Sequence, residues 1–264
     1  MSALAEILKP GLHTTIQDGG RAGFRHLGVP LSGAADLYSL ALANAAAGNA
    51  PGAAALECTL QGPTLRFLGE TTIALAGADM QVRLNGEALP LYRAAQVSDG
   101  DELVLGAASA GARCYIAFAG GLSGRDFLGS VSTYPPALLG GLEGLQLKAG
   151  DRVSGAGARQ RSARDIPAAL HLRIGRDAIL RATPAPETDH LIPESLKQLF
   201  TAQWTVARRA DRMGLQLEGP ALALAPAPPM ASSPVFPGTV QCPPDGAPFL
   251  LSADAQTVGG YPRV

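Results

Sequence analysis

The sequence predicts a mainly β, α+β protein made of two β-rich lobes with a few short helices. Three observations carry this reading. The chain has 32 glycines and 21 prolines in 264 residues without a collagen-like period, which demands many tight turns. Short apolar runs recur at close intervals between residues 56 and 119. An Asn85-Gly86 pair stands between alternating apolar residues, the strongest local signal for a two-residue hairpin.

The densest stretch is 17–67. Gln17, Asp18, Gly19, Gly20 and Arg21 form a glycine-rich turn of mixed charge, and Gly28 to Gly33 form a second turn in which the glycines admit positive φ and Pro30 fixes its own. A helix should follow, capped by Asp36 or Ser32, with Leu37, Leu40 and Ala41 as its apolar stripe and Gly48 as its stop. Its N-terminus, beside Arg21, Arg25 and His26, could hold an anion. Strands are expected at 56–60, 64–68, 71–76 and 81–84, then back through 87–92, and again at 103–105 and 113–119, as in an antiparallel barrel or sandwich.

Between 154 and 165 the apolar period lapses into Gly, Ser and Arg, which reads as a linker or long surface loop, and the chain is expected to divide into lobes 1–160 and 161–264. The second lobe should start its structure near His171. It should contain a helix with Pro193 in its first turn and Leu196, Leu199 and Phe200 inward, then strands at 204–206, 215–217 and 249–252. The proline-rich stretch 220–237 reads as a flexible loop.

A hydrophobic fraction of 47% excludes disorder for most of the chain. A formal net charge of -1 with scattered Lys and Arg gives no case for nucleic acid or an anionic membrane. Cys58, Cys114 and Cys242 are odd in number and far apart, so they read as small core residues rather than a disulfide or zinc framework. No leader or membrane-length apolar run is evident, and a cytoplasmic location is expected. The chain lacks GxxxxGK[ST], GxSxG and HExxH, and it has no His cluster to hold a metal.

Several motifs occur in a fixed order: Gln17-Asp18 with Gly20-Arg21, GVPLSGAAD, LAN followed by GN, LECTLQGPTLRF, Gly77-Ala78 and Gly120-Gly121. They continue with LGS before Ser132-Thr133, DRMG with LEGP, GTVQCPPDG and QTVGGYP. In that order the chain resembles the KipA-like family, also described as allophanate hydrolase subunit 2 or biotin-dependent carboxyltransferase. The resemblance implies cyclophilin-like β-barrel lobes. It also implies one of three activities. The first is the C subunit of an ATP-dependent 5-oxoprolinase, opening L-pyroglutamate to L-glutamate with one KipI-like and one LamB/YcsF-like partner subunit. ATP with Mg would then be used at the level of the complex. The second is a carboxyltransferase module moving carboxyl from biotin to a urea-like acceptor, with biotin arriving on another protein. The third is a regulator that binds a KipI-like kinase inhibitor. The chain lacks the Lys-Ser-Ser signature of an amidase and a biotin-accepting Met-Lys-Met. It carries Val131 and Ala255 where relatives commonly have Arg and a larger or polar residue, and relatives usually run on beyond the GGYP motif, so further C-terminal strands are expected of the family.

The candidate catalytic residues are Asp18, Arg21, His26, Glu57 and Arg212. Asp18 and Arg21 either polarise a substrate or brace a glycine turn as an ion pair. His26 is an acid, base or ligand, or else a turn histidine bonded to a carbonyl. Glu57 lies among apolar neighbours, so if it faces inward it must be paired or have a raised pKa. Arg212, beside Asp211, could clamp a carboxylate bidentately or simply face solvent at a strand start. The candidate substrate-binding residues are Gly28, Ser32, Gly33, Asp36, Gln241, Asp245, Gln256, Thr257, Gly259, Gly260 and Tyr261. Asp36 reads first as a helix cap. The glycines of 256–261 would let backbone approach a planar amide or ureido group, or would permit a tight strand crossing.

Overall fold

A computed structural model describes residues 2–158, 162–226 and 230–264, and the chain forms two compact units. The first takes the chain up to Arg21 and then Asp36–Ala178; the second takes Ala22–Ala35 and Ile179–Val264. The expected boundary near 160 therefore falls inside the first unit. The segment after 161 is held there by specific contacts. Arg164 N donates to Ala46 O (3.0 Å) and Ile166 N to Tyr92 O (2.9 Å), and the His171 ring stacks on Tyr92 with centroids 4.1 Å apart. The middle of the expected 154–165 linker, residues 159–161, lies outside the described residues.

The first unit contains β1 (Ala3–Lys9), β2 (His13–Gln17), α1 (Leu37–Ala46), β3 (Ala55–Thr59), β4 (Thr64–Phe67) and β5 (Thr71–Asp79). It continues with β6 (Arg83–Leu84), β7 (Glu87–Ala88), β8 (Ala94–Val97), β9 (Glu102–Val104), β10 (Ala110–Phe118) and β11 (Arg152–Ser154). Two sheets result, ordered β11-β1-β4-β9-β6-β7 and β2-β3-β10-β5-β8. The pairings between these strands are antiparallel. Alternation sends Ala5, Ile7, Leu65, Phe67 and Leu103 of one sheet and Ile16, Leu56, Cys58, Ile73, Leu75, Ile116 and Phe118 of the other into one shared core. The chain is thus mainly β, as expected.

Strands β1, β2, β8 and β11 are not among those expected from the sequence. The Asn85-Gly86 turn forms as predicted, with φ of +51° and +84° at its two central positions. Its returning arm ends at Ala88 rather than 92, because Pro90 has no N–H to give a ladder.

Helix α1 packs over β5 and β10 on the outer face of the five-stranded sheet. Asp36 caps it, accepting from Ser39 N at 2.9 Å, and Gly48 follows with φ +82°. Its inward face is Ser39, Leu40, Ala43, Asn44 and Ala46; Leu37, expected in the stripe, is 53% exposed. Position 37 is the first residue past the cap and lies on the solvent side of this inward set.

The second unit contains α2 (Pro193–Thr201), β12 (Thr205–Ala210), β13 (Gly214–Glu218), β14 (Ser233–Pro234), β15 (Val240–Gln241), β16 (Phe249–Leu251) and β17 (Val258–Gly259). Strands β12-β13-β16-β15 form one sheet and β14-β17 a ribbon. Pro193 opens α2, and Leu196 and Leu199 pack on Leu191, Leu222 and Cys242 as expected. Phe200, expected inward, is 46% exposed, one position round from that face. The stretch 220–237 lacks a long element, as its prolines require, yet its flanks are anchored rather than flexible. Leu222 and Val235 are buried, Leu224 bridges Leu191, and Ala223 N donates to Ser195 Oγ at 2.8 Å. Residues 227–229 of that stretch lie outside the described residues. All three cysteines are buried and unlinked, and burial pushes the Cys114 thiol up to about 12.

Glu187 accepts from Arg263 Nε at 2.6 Å, from its Nη2, and from its backbone N at 3.1 Å. These bonds hold the Glu187 carboxyl below its usual range and raise Arg263. A depressed carboxyl stabilises fully above its unfolded pKa of about 4.3 and loses that contribution as pH falls through the lower folded value. The expected result is that Glu187→Gln costs about 1 kcal/mol at pH 7 and progressively less as pH falls through the folded value. Urea unfolding across an acid pH series measures this, and a cost that does not change with pH would refute it.

Candidate functional site

Three polar clusters hold most of the candidate residues. The first surrounds Asp18, just after β2. Its carboxylate accepts from Gly20 N (2.8 Å), Ser130 Oγ (2.7 Å), Ser132 Oγ (2.5 Å) and Val131 N (2.8 Å). Arg21, 1% exposed, donates through Nη2 to Ser132 O and lies 5.9 Å from the Phe127 ring centroid. Asp18 and Arg21 thus meet on the 127–133 loop without forming the expected ion pair with each other. The guanidinium faces loop carbonyls rather than a ligand at the start of α1. Val131, where relatives commonly have Arg, contributes its backbone N–H and packs its side chain on the core.

The second cluster lies on the α1 side of the five-stranded sheet. Glu57 and Tyr115 are directly paired in β3 and β10, so their side chains leave the same face. Both are fully buried. Tyr115 Oη donates to Glu57 Oε2 at 2.7 Å and accepts from Asp36 N at 2.8 Å, while Arg113 Nε stands 3.6 Å from Glu57 Oε1. Glu57 therefore faces inward and is paired, one of the two outcomes its sequence position left open. Burial, and then the Glu57 charge, push the Tyr115 phenol well above its ordinary range, so it keeps its proton. Asp36 spends its side chain on Ser39, through Ser39 N and a 2.5 Å bond from Ser39 Oγ, and its N–H on Tyr115.

The third cluster belongs to the second unit. Arg212 and Asp211 occupy the turn between β12 and β13 rather than a strand start. Asp211 accepts from Met213 N (2.7 Å) and Gly214 N (3.2 Å) to close that turn. Arg212, 7% exposed, makes a two-pronged pair with Asp254 (Nε to Oδ2 2.8 Å, Nη2 to Oδ1 3.1 Å) and donates to Gly33 O at 2.6 Å. The carboxylate clamp foreseen for Arg212 exists, and its carboxylate is internal. Ser32 N donates to Ala253 O, and Ser32 itself is buried with φ +51°. Gln241, 2% exposed, accepts from Gln256 Nε2 at 2.9 Å and donates to Tyr261 O at 3.3 Å.

A Cβ on Gly259 would collide with Gln241 Nε2, so the planar amide this glycine admits is the protein's own. Gly259→Ala should lower unfolding stability by about 1–3 kcal/mol through forced overpacking, read as a fall in melting midpoint; an unchanged midpoint would show that the close approach is unimportant.

The remaining candidates sit apart from these networks. Thr257 O accepts from Val235 N, Asp245 Oδ1 from Ala247 N, and Gly260 meets only Ser232 Oγ at ordinary contact distance. Tyr261 is half exposed, and Gly28 ends a short 3-10 turn, Arg25–Leu27, with φ +79°. His26 in that turn is exposed and has no side-chain hydrogen bond among the described residues, so the expected bond to a carbonyl does not form. Ala255, where relatives carry a larger or polar residue, is fully buried against Val235 and Leu251. A cavity of 470 Å³ in the first unit, between Ile16, Arg125 and Leu142, is lined by none of the candidates. Among the described residues no group of three or more His, Cys, Asp or Glu could hold a metal, and no helix is long and apolar enough to cross a membrane.

Arg25, expected beside the start of α1, sits instead in the third cluster. It is bonded there to Val235 O and Gln256 O, which are more than 200 residues away. No local signal could have revealed that.

Comparison with known proteins agrees with this architecture. The chain is 36% identical over 261 residues to the C subunit of 5-oxoprolinase from Escherichia coli, spanning 99% of this chain and 83% of that protein. It is 35% identical over 225 residues to urea amidolyase of Saccharomyces cerevisiae, spanning 81% of this chain but only 12% of that much longer protein. The solved structure of the K. lactis urea amidolyase superposes with a TM-score of 0.92 at 29% identity, covering 99% of this chain and 17% of that one. Residues 27–264 match the family model described as carboxyltransferase domain, subdomain A and B, and the chain belongs to that family.

Proposed function

We propose that this protein is the C subunit of an ATP-dependent 5-oxoprolinase, acting with KipI-like and LamB/YcsF-like subunits to open L-pyroglutamate to L-glutamate. The observation that carries the proposal is the extent of the match. The correspondence to the 5-oxoprolinase C subunit takes in nearly all of this chain and most of that protein, whereas urea amidolyase matches through a small fraction of its length.

ATP would supply phosphoryl activation of the lactam oxygen. The sequence has no GxxxxGK[ST], so a P-loop in this chain is not what would hold the ATP. Asp18, Arg21 and Arg212 then act as positioning residues, since each is committed to loop backbone or to an internal partner. Tyr115 keeps its proton and fixes the Glu57 carboxylate beside the start of α1. His26 is exposed and within reach of a bound molecule, which makes it the acid-base candidate.

Glutamate release from pyroglutamate and ATP, with each of the three subunits omitted in turn, tests the proposal. Turnover that requires this chain and falls at least tenfold with His26→Ala is expected. A soluble, assembled complex that releases no glutamate would overturn it. The second reading, a carboxyltransferase module using biotin on another protein and a urea-like acceptor, is supported by the 0.92 TM-score. It predicts biotin-dependent carboxyl transfer in the same assay format. Tight binding of a KipI-like protein without turnover of either kind would favour the regulatory reading.

A further inference from the structure

Arg25 is held in an unusual way for a cation. Its Nη2 donates to Val235 O and to Gln256 O (2.9 Å), and its guanidinium carbon lies 5.3 Å from the centroid of the Phe236 ring. Its Nη1 is buried and bonded to nothing among the described residues. No carboxylate among those residues pairs with it, and desolvation lowers its pKa. A guanidinium nitrogen shut off from water is normally met by an acceptor, because an unsatisfied buried donor is costly.

Two further buried polar atoms of the second unit, Ser32 Oγ and Ser233 Oγ, also have no partner among the described residues. Ser32 shares the 22–35 segment with Arg25, and Ser233 lies two residues from the Val235 carbonyl that Arg25 bonds. Arg212, more deeply buried than Arg25, already has Asp254. Arg25 as a whole is half-buried, but its enclosed Nη1 has no carboxylate among the described residues.

We propose that Arg25 is an anion-recognition residue: its Nη1 receives the carboxylate of a small, flat organic acid, which enters by displacing the half-exposed Phe236 ring. Identifying that acid with pyroglutamate rests on the function proposed above, whereas the carboxylate site does not. The Gln241–Gln256 amide pair and the Gly259 backbone adjoin it through Gln256, whose carbonyl Arg25 holds.

Calorimetric titration of the full chain with L-pyroglutamate and with 2-pyrrolidinone, the same lactam without a carboxylate, tests this. The wild-type protein is expected to prefer pyroglutamate by roughly tenfold or more. Arg25→Gln should abolish the preference, and Arg25→Lys, which keeps the charge but loses the fork, should retain part of it. Equal binding of the two lactams by the wild type, or an undiminished preference in Arg25→Gln, would overturn the assignment. Should Arg25→Gln melt early, Phe236→Ala provides a second measure, because enlarging the entrance should speed pyroglutamate association; an unchanged association rate would count against this route. The two proposals fail separately. Glutamate release by the assembled complex with an unchanged KM in Arg25→Gln removes Arg25 and leaves the function. Arg25-dependent pyroglutamate binding without turnover does the reverse.

Discussion

Asp254→Ala is expected to destabilise the second unit by about 3–5 kcal/mol, the general cost of removing one partner from a buried ion pair. The pair is almost fully enclosed, with side-chain exposures of 8% for Arg212 and 4% for Asp254, and it is two-pronged. The loss extends beyond the pair, because the same guanidinium holds Gly33 O. Arg212 thereby fixes the 22–35 segment against the turn after β16. Since replacing both members of such a pair by apolar residues is often nearly neutral, Arg212→Leu with Asp254→Leu should cost much less than the sum of the single changes. Denaturant unfolding of the four proteins in that cycle measures the coupling, and strictly additive single changes would refute this account.

Tyr115→Phe is expected to cost about 2–4 kcal/mol, a large effect for the loss of one oxygen atom. The hydroxyl serves two clients, donating to the buried Glu57 carboxylate and accepting from the Asp36 amide at the mouth of α1. Deleting it takes a partner from both, and each under-satisfied buried group costs about 1–3 kcal/mol. Glu57→Gln should be milder, because an amide oxygen can still accept from Tyr115 while the carboxylate loses its charge. Thermal and urea unfolding of the two variants rank them. A Tyr115→Phe protein as stable as the wild type would show that the hydroxyl is dispensable.

The legible parts of this fold are the ones written in neighbouring residues. Asp36 as a cap, Gly48 as a stop, Pro193 at a helix start and Asn85-Gly86 as a hairpin all act within a few positions of themselves, and all appear where expected. The cysteines were readable as core from their number and spacing alone. The candidate site was legible only as a set of unusual residues. Asp18 finds Ser132 across 114 positions, and Arg212 finds Asp254 across 42. Sequence spacing carries no record of either partner. Arg212 and Gly259 looked like hands held out to a ligand because their actual partners, Asp254 and Gln241, are distant in sequence. Arg25 looked like part of a helix-dipole site for the same reason.

The division of residues 22–35 from β2 before it and α1 after it has a temporal consequence. During synthesis this segment emerges early, carrying Phe24, Leu27, Val29 and Leu31, while Val235, Ala253 and Gln256, which it must bind, are made near the end of the chain. At roughly 5–20 residues per second, the nascent chain waits on the order of ten seconds or more before that segment finds its partners. The second unit cannot close until the last stretch arrives, and through that interval the segment between β2 and α1 is a tether that a chaperone, or another nascent chain, can reach first.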